Sequence, residues 1–266
     1  MIFLAILFGT LTAGIGSVWV AAWLSFGVMS RYTQHMLSLA AGALLATSFM
    51  HLLPEAFAST VSPHDLFLTL LVGLVFFFLL DKAELWHHGH EHGGSHEPAR
   101  DHEDHQGHHG HSHHDHAGGG WAVLAGDSVH CFGDGILIAS AFMADIRLGA
   151  MAALAVMAHE VPHHMGDLAV LRQGQGTRKA AVLKVSLAGA VTALGGALGY
   201  VLVESLRPAL PFFLVMASSS FVYVALADLI PQLQKRLSAR ETAAQILWLA
   251  IGMGSVSLVG GWMHGL

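Results

Sequence analysis

Two stretches of this chain carry side chains that could do chemistry. In Asp127-Ser128-Val129-His130-Cys131-Phe132-Gly133-Asp134-Gly135, the residues Asp127, His130, Cys131 and Asp134 stand at i, i+3, i+4 and i+7 and share one helical face. In His159-Glu160-Val161-Pro162-His163-His164-Met165-Gly166-Asp167, the residues His159, His163 and Asp167 stand at i, i+4 and i+8, with Glu160 and His164 as a neighbouring i, i+4 pair. Both stretches lie inside apolar runs. An imidazole or carboxylate at mid-membrane depth costs roughly 2.5 kcal/mol or more on insertion scales, so such groups face a water path or a partner. Nitrogen, oxygen and sulfur donors in this density suit zinc or a related divalent cation.

If the two helices pack together, His130, Asp134, His159 and His163 are expected to converge as ligands. Asp127, His164 and Asp167 lie toward one end and line a path for the ion. Pro162 cannot donate to the Ala158 carbonyl, which frees that oxygen beside the site and should kink the helix. A second reading takes His159 to His163 as HExxH, the zinc-protease signature in which two histidines hold the metal and the Glu activates water. The alternative function is therefore an intramembrane zinc metalloprotease. That reading leaves the Asp127 to Asp134 stripe unemployed, and the internal proline is unfriendly to the regular helix it needs.

The elements that must position these residues are membrane helices. The 266 residues are 54% hydrophobic and 11% charged, with mean hydropathy +0.57, which excludes an ordinary soluble domain. Apolar runs of the length that crosses a ~30 Å hydrocarbon core recur at about 2–28, 35–57, 66–86, 121–143, 148–171, 180–204, 211–233 and 243–263. The expectation is an all-α polytopic membrane protein, a single unit over 1–266 with eight transmembrane helices. The first run lacks a basic leader and reads as retained rather than cleaved. The single cysteine, Cys131, excludes an intramolecular disulfide framework.

Loops after the first, third, fifth and seventh runs hold ten of the twelve Lys and Arg residues, the other two being Arg147 and Arg207. This bias places those four loops in the cytoplasm and both termini outside. The net charge of −6 resides in Asp81 to Gly120, where eight acids face two bases, and it says nothing of nucleic acid. Trp86 to Gly120 also holds thirteen histidines among Gly, Asp and Glu. It cannot bury a core, so residues 87–120 are expected to form a disordered cytoplasmic loop that buffers divalent metal weakly.

His51-Leu52-Leu53-Pro54-Glu55 in the second run parallels Asp228-Leu229-Ile230-Pro231-Gln232 in the seventh. On the topology above the two run in opposite directions. That pattern fits an inverted repeat, helices one to three against six to eight, around central helices four and five. His51 and Glu55 join Asp127 and Asp167 as pathway candidates.

At these residues the chain resembles the ZIP family of metal transporters. His130-Cys131-Phe132-Gly133-Asp134-Gly135 is similar to that family's HNFxDG, and His159 to Asp167 to its HExPHExGD pattern. His51 to Phe57, Tyr223 to Pro231 and the His-rich loop are also family-like. The resemblance implies a secondary transporter that moves zinc or a related divalent metal into the cytoplasm by alternating access. Neither catalysis nor a resident cofactor is implied. It places His130, Asp134, His159 and His163 at the main site, with Cys131 and Glu160 facing a second metal position. Two departures soften the ligand set, Cys131 for Asn and His164 for Glu, and favour zinc, cadmium or copper over manganese or ferrous iron. The sixth run offers no mid-helix acid, only Ser186 and Thr192, which weakens the case for a fully occupied second position. The expected partners are divalent metal ions and the lipid bilayer, with a homodimer left open and no nucleic acid. The expected residence is the plasma or inner membrane.

Overall fold

The computed structural model describes residues 1–26, 33–89, 117–173, 177–233 and 238–264, and every regular element among them is helical. Contiguous helical stretches make eight long helices. These are α1 (residues 2–26), α2 (33–57), α3 (Pro63–Gly89), α4 (Ala117–Ala144), α5 (Ile146–Gln173), α6 (Arg178–Ser205), α7 (210–233, entered through a short 3-10 turn, Arg207–Ala209) and α8 (Ala239–His264). Of the stretch expected to be disordered, residues 87–89 and 117–120 continue α3 and α4, and the remainder lies outside the described residues.

Among the described residues, five helices are long and apolar enough to cross a membrane by length and composition alone: Ile2–Ser25, Gln34–Phe57, Pro63–Lys82, Arg178–Ser205 and Arg207–Leu233. In α4 and α5 the ligand-type residues themselves depress the hydropathy. The outward face of α3 exposes Phe67, Leu68, Leu71, Val72, Val75, Phe76 and Leu79, an apolar belt that suits acyl chains rather than water. Thr10, Thr47 and Ser140 satisfy their hydroxyls locally, each donating to the carbonyl four residues back.

The α4–α5 pair is set by its connection. A single residue, Asp145, separates the helices, and its Oδ1 accepts from the Arg147 amide at 2.8 Å and caps the start of α5. So short a turn forces an antiparallel hairpin. His130 and His159 are then nearly equidistant from the turn, each roughly 21–23 Å along its helix at 1.5 Å per residue, and so meet at one depth. α5 runs unbroken through Pro162 from Ile146 to Gln173, so the proline does not end the helix.

α4 lies along α6, α1 also packs on α6, α2 on α8 and α3 on α7. In α2 a wider π-helical turn, Ser48–Leu52, sits just before Pro54, and in α7 the turn Val224–Leu229 sits just before Pro231. A proline removes one intrahelical amide donor, and a π turn absorbs the resulting misfit. The two motifs that suggested the inverted repeat thus share a backbone irregularity as well as a sequence pattern. A third π turn, Thr12–Gly16, falls in α1.

Candidate metal site

The facing stripes of α4 and α5 form three groups of ligand-type atoms: His130, Asp134, His159 and Glu160; Asp127, Cys131, Glu160 and His164; and Asp127, His163 and Asp167. In the first, His130 Nε2 lies 3.4 Å from His159 Nε2 and 3.8 Å from Asp134 Oδ2. Glu160 Oε1 is 3.3 Å from both imidazoles, and Asp134 Oδ2 is 3.3 Å from His159. A tetrahedral zinc with N and O ligands at about 2.0–2.1 Å has ligand–ligand edges of about 3.3–3.4 Å. The group is therefore near the size of that ion's coordination shell.

The second group uses the other oxygen of the same carboxylate. Glu160 Oε2 is 3.0 Å from His164 Nε2 and 4.0 Å from Cys131 Sγ, while Asp127 Oδ1 is 3.6 Å from each of those two atoms. With a longer metal–sulfur bond of about 2.3 Å, edges to sulfur of about 3.5 Å are expected, so this group also approaches a closed shell. The third group is looser. His163 Nε2 stands 4.0 Å from Asp127 Oδ1 and 3.9 Å from Asp167 Oδ2, too wide for the same tetrahedral contact and better matched to a partly hydrated ion.

All four members of the second group are buried, as are Asp134 and His159. Asp127 Oδ2, Asp134 Oδ2, Glu160 Oε1, His164 Nε2 and Asp167 Oδ2 are shielded from solvent and have no hydrogen-bond partner among the described residues. Buried polar atoms are nearly always satisfied, so five orphans gathered in one cluster are unusual, and their lone pairs are of the kind a cation accepts.

A cavity of about 420 Å³ leads to the cluster. Its wall includes Asp127, His130, His159, His163 and Asp167 on one side, with Asp81, Tyr223, Asp228 and Gln232 on the other. Cys131, Glu160 and His164 are not among its lining residues, so the first group is reachable from it and most of the second is not.

The structure brings all seven sequence-chosen ligand residues into these groups, but not as expected. Glu160 rather than His163 completes the set with His130, Asp134 and His159, because Glu160 points into the α4–α5 interface. His163 faces the cavity, its ring stacked on that of His130 at 5.6 Å. All four ligand-type atoms of the second group come from α4 and α5, with none from α6. His51 and Glu55 do not line the cavity. The sequence reading missed Tyr223, whose hydroxyl donates to Asp81 at 3.0 Å across the cavity, and Ser17, which meets His164. A carboxylate at the end of the apolar α3 run was the available signal for Asp81. A serine in α1 gave none.

The sequence pattern of the ZIP zinc transporter family matches residues 1–260. The chain belongs to the ZIP zinc transporter family. It is 29% identical over 286 aligned residues to zinc transporter ZIP4 of Homo sapiens, covering 89% of this chain and 43% of that protein. It is 28% identical to zinc transporter ZIP13 of Pongo abelii, covering 93% of this chain and 75% of that protein. Over 52% of the chain it is 35% identical to the zinc transporter foi of Drosophila melanogaster, of which it covers 20%. The chain thus spans less than half the length of ZIP4 and about three quarters of ZIP13. ZIP membership agrees with the all-helical polytopic fold. Nothing in the family match favours the protease alternative, and the two histidines of HExxH, His159 and His163, fall in separate groups.

Proposed function

We propose that this chain carries zinc or a related divalent cation across the membrane into the cytoplasm, by alternating access around a two-position site on α4 and α5. The observation that carries this reading is the shell of His130, Asp134, His159 and Glu160, closed to zinc-like spacing at the inner end of a cavity embedded among membrane helices. Asp127, Cys131, Glu160 and His164 form the second position, and Asp127, His163 and Asp167 the step between site and cavity. On the Lys and Arg distribution, the cavity rim at Asp81, Asp228 and Gln232 faces the cytoplasm, so the conformation is open inward. In this reading the protein resides in the plasma or inner membrane, and the same Lys and Arg distribution puts both termini outside.

The reading is tested in proteoliposomes loaded with a zinc-sensitive dye. The full chain should admit zinc, and His130→Ala and Asp134→Ala should each reduce influx to the level of empty vesicles. Wild-type flux in both variants would remove the site.

The thiol gives a second expectation. Cys131→Asn replaces a soft donor with a hard amide oxygen, so the preference for zinc and cadmium over manganese and ferrous iron should fall several-fold in competition uptake. An unchanged order of competition would make Cys131 a packing residue.

A further inference from the structure

Ser17 contacts the cluster from a helix that contributes no ligand to it. Its hydroxyl is fully buried, donates to the Gly14 carbonyl at 2.7 Å, and lies 3.0 Å from Nδ1 of His164. The hydroxyl has one proton, and the Gly14 contact uses it. With the proton so assigned, Ser17 Oγ is an acceptor toward His164, and Nδ1 carries the hydrogen. Nε2 is then the unprotonated nitrogen, whose lone pair is available to a metal ion. It faces Glu160 Oε2 at 3.0 Å and Asp127 Oδ1 at 3.6 Å, with Cys131 Sγ completing the group.

We propose that Ser17 is the positioning residue of the buried metal position, fixing the tautomer and ring orientation that present His164 Nε2 to the ion. The proposal rests on the two-position reading above and names what holds its nitrogen ligand. Metal-binding histidines generally donate their second N–H to an oxygen that sets the tautomer, and loss of that partner weakens metal binding about 10- to 100-fold.

The backbone accounts for how a serine of α1 reaches α5. Ser17 directly follows the π turn Thr12–Gly16, which widens the helix. At the same level Gly14 sits so close to α6 that a Cβ there would come 2.0 Å from the Gly189 carbonyl oxygen and 2.6 Å from Thr192 Oγ1. α1 is thus pinned to α6 by a contact only glycine permits, and Ser17 faces His164 as a result. Because the family pattern carries Glu where this chain has His164, a hydroxyl held as an acceptor is matched to this chain's own ligand.

The test is cobalt titration of the purified full-length protein in detergent, read by the thiolate-to-cobalt charge-transfer band that only a Cys131-bound ion produces. In Ser17→Ala, half-saturation of that band should need about 10- to 100-fold more cobalt than in wild type. In a His164→Ala background, adding Ser17→Ala should cause no further loss, because Ser17 acts through that ring. Half-saturation equal to wild type in Ser17→Ala overturns the proposal while leaving the metal site standing. An equally large loss in the His164→Ala background also overturns it, by showing that the hydroxyl supports the helix and not the ligand. Absence of the band in wild type overturns the two-position reading, and the proposal with it.

Discussion

Glu160→Gln is expected to lower zinc flux at least about 100-fold and to reduce bound metal from two ions per chain to one or none. Its two carboxylate oxygens serve different groups, Oε1 facing His130 and His159 and Oε2 facing His164 and Cys131. Glutamine keeps the size but has one acceptor oxygen, so whichever way the amide turns, one position meets an N–H where it had a ligand. It also removes a buried negative charge. Breaking a buried ionic cluster by deleting one member costs about 3–5 kcal/mol, and 1.4 kcal/mol is tenfold in an equilibrium constant, so a hundredfold loss is the lower bound. Metal analysis and flux in the same preparation provide the check. His164→Ala, by contrast, should weaken only the buried position, so that it fills at higher metal concentration, and leave the reachable group occupied. Two retained ions with normal flux in Glu160→Gln would show that the carboxylate does not bridge the groups.

Gly135→Ala is expected to abolish transport by separating two helices. Gly135 neighbours Asp134 in sequence but points the other way, into α6, where a Cβ would stand 2.1 Å from the Thr192 carbonyl oxygen and 2.7 Å from the Gly196 amide nitrogen. The contact is reciprocal, since a Cβ on Gly195 would stand 2.1 Å from the Phe132 carbonyl oxygen. Both obstacles are backbone, so no rotamer change relieves them and α4 must move away from α6. Overpacking of this kind costs about 1–3 kcal/mol, and displacement of α4 carries His130 and Asp134 out of register with α5. Gly133 is the control. Nothing lies within 4 Å of a Cβ built there, so Gly133→Ala should keep both stability and flux. Thermal unfolding in detergent and zinc influx, measured on both variants, decide the matter. Equal stability of the two would mean that α4 and α6 do not touch at Gly135.

The contrast between these glycines shows where sequence reading stops. Gly133 and Gly135 are both small residues in one apolar run, and small residues permit close helix approach. Only the packed helices reveal that Gly135 is at a contact and Gly133 is open. The same holds for the ligands. Helical spacing put Asp127, His130, Cys131 and Asp134 on one stripe, and the single-residue turn at Asp145 lets their depth be matched to His159 and Glu160. Spacing does not give the rotation of α5 about its own axis. That rotation turns Glu160 and His164 inward and leaves His163 stacked on His130 at the cavity wall.

From the sequence alone came the membrane class, the eight apolar spans, the paired proline motifs and the seven ligand-type residues, because each is encoded locally, in run length, composition or an i, i+4 repeat. The tertiary structure decided how those seven residues divide into groups, that Glu160 is shared, that α4 and α5 close the second group without α6, and that Ser17 and Tyr223 meet His164 and Asp81. Ser17 and His164 are 147 residues apart. No local pattern records such a pairing, which arises only when a π turn and a glycine contact set α1 against α6 and bring both beside the hairpin.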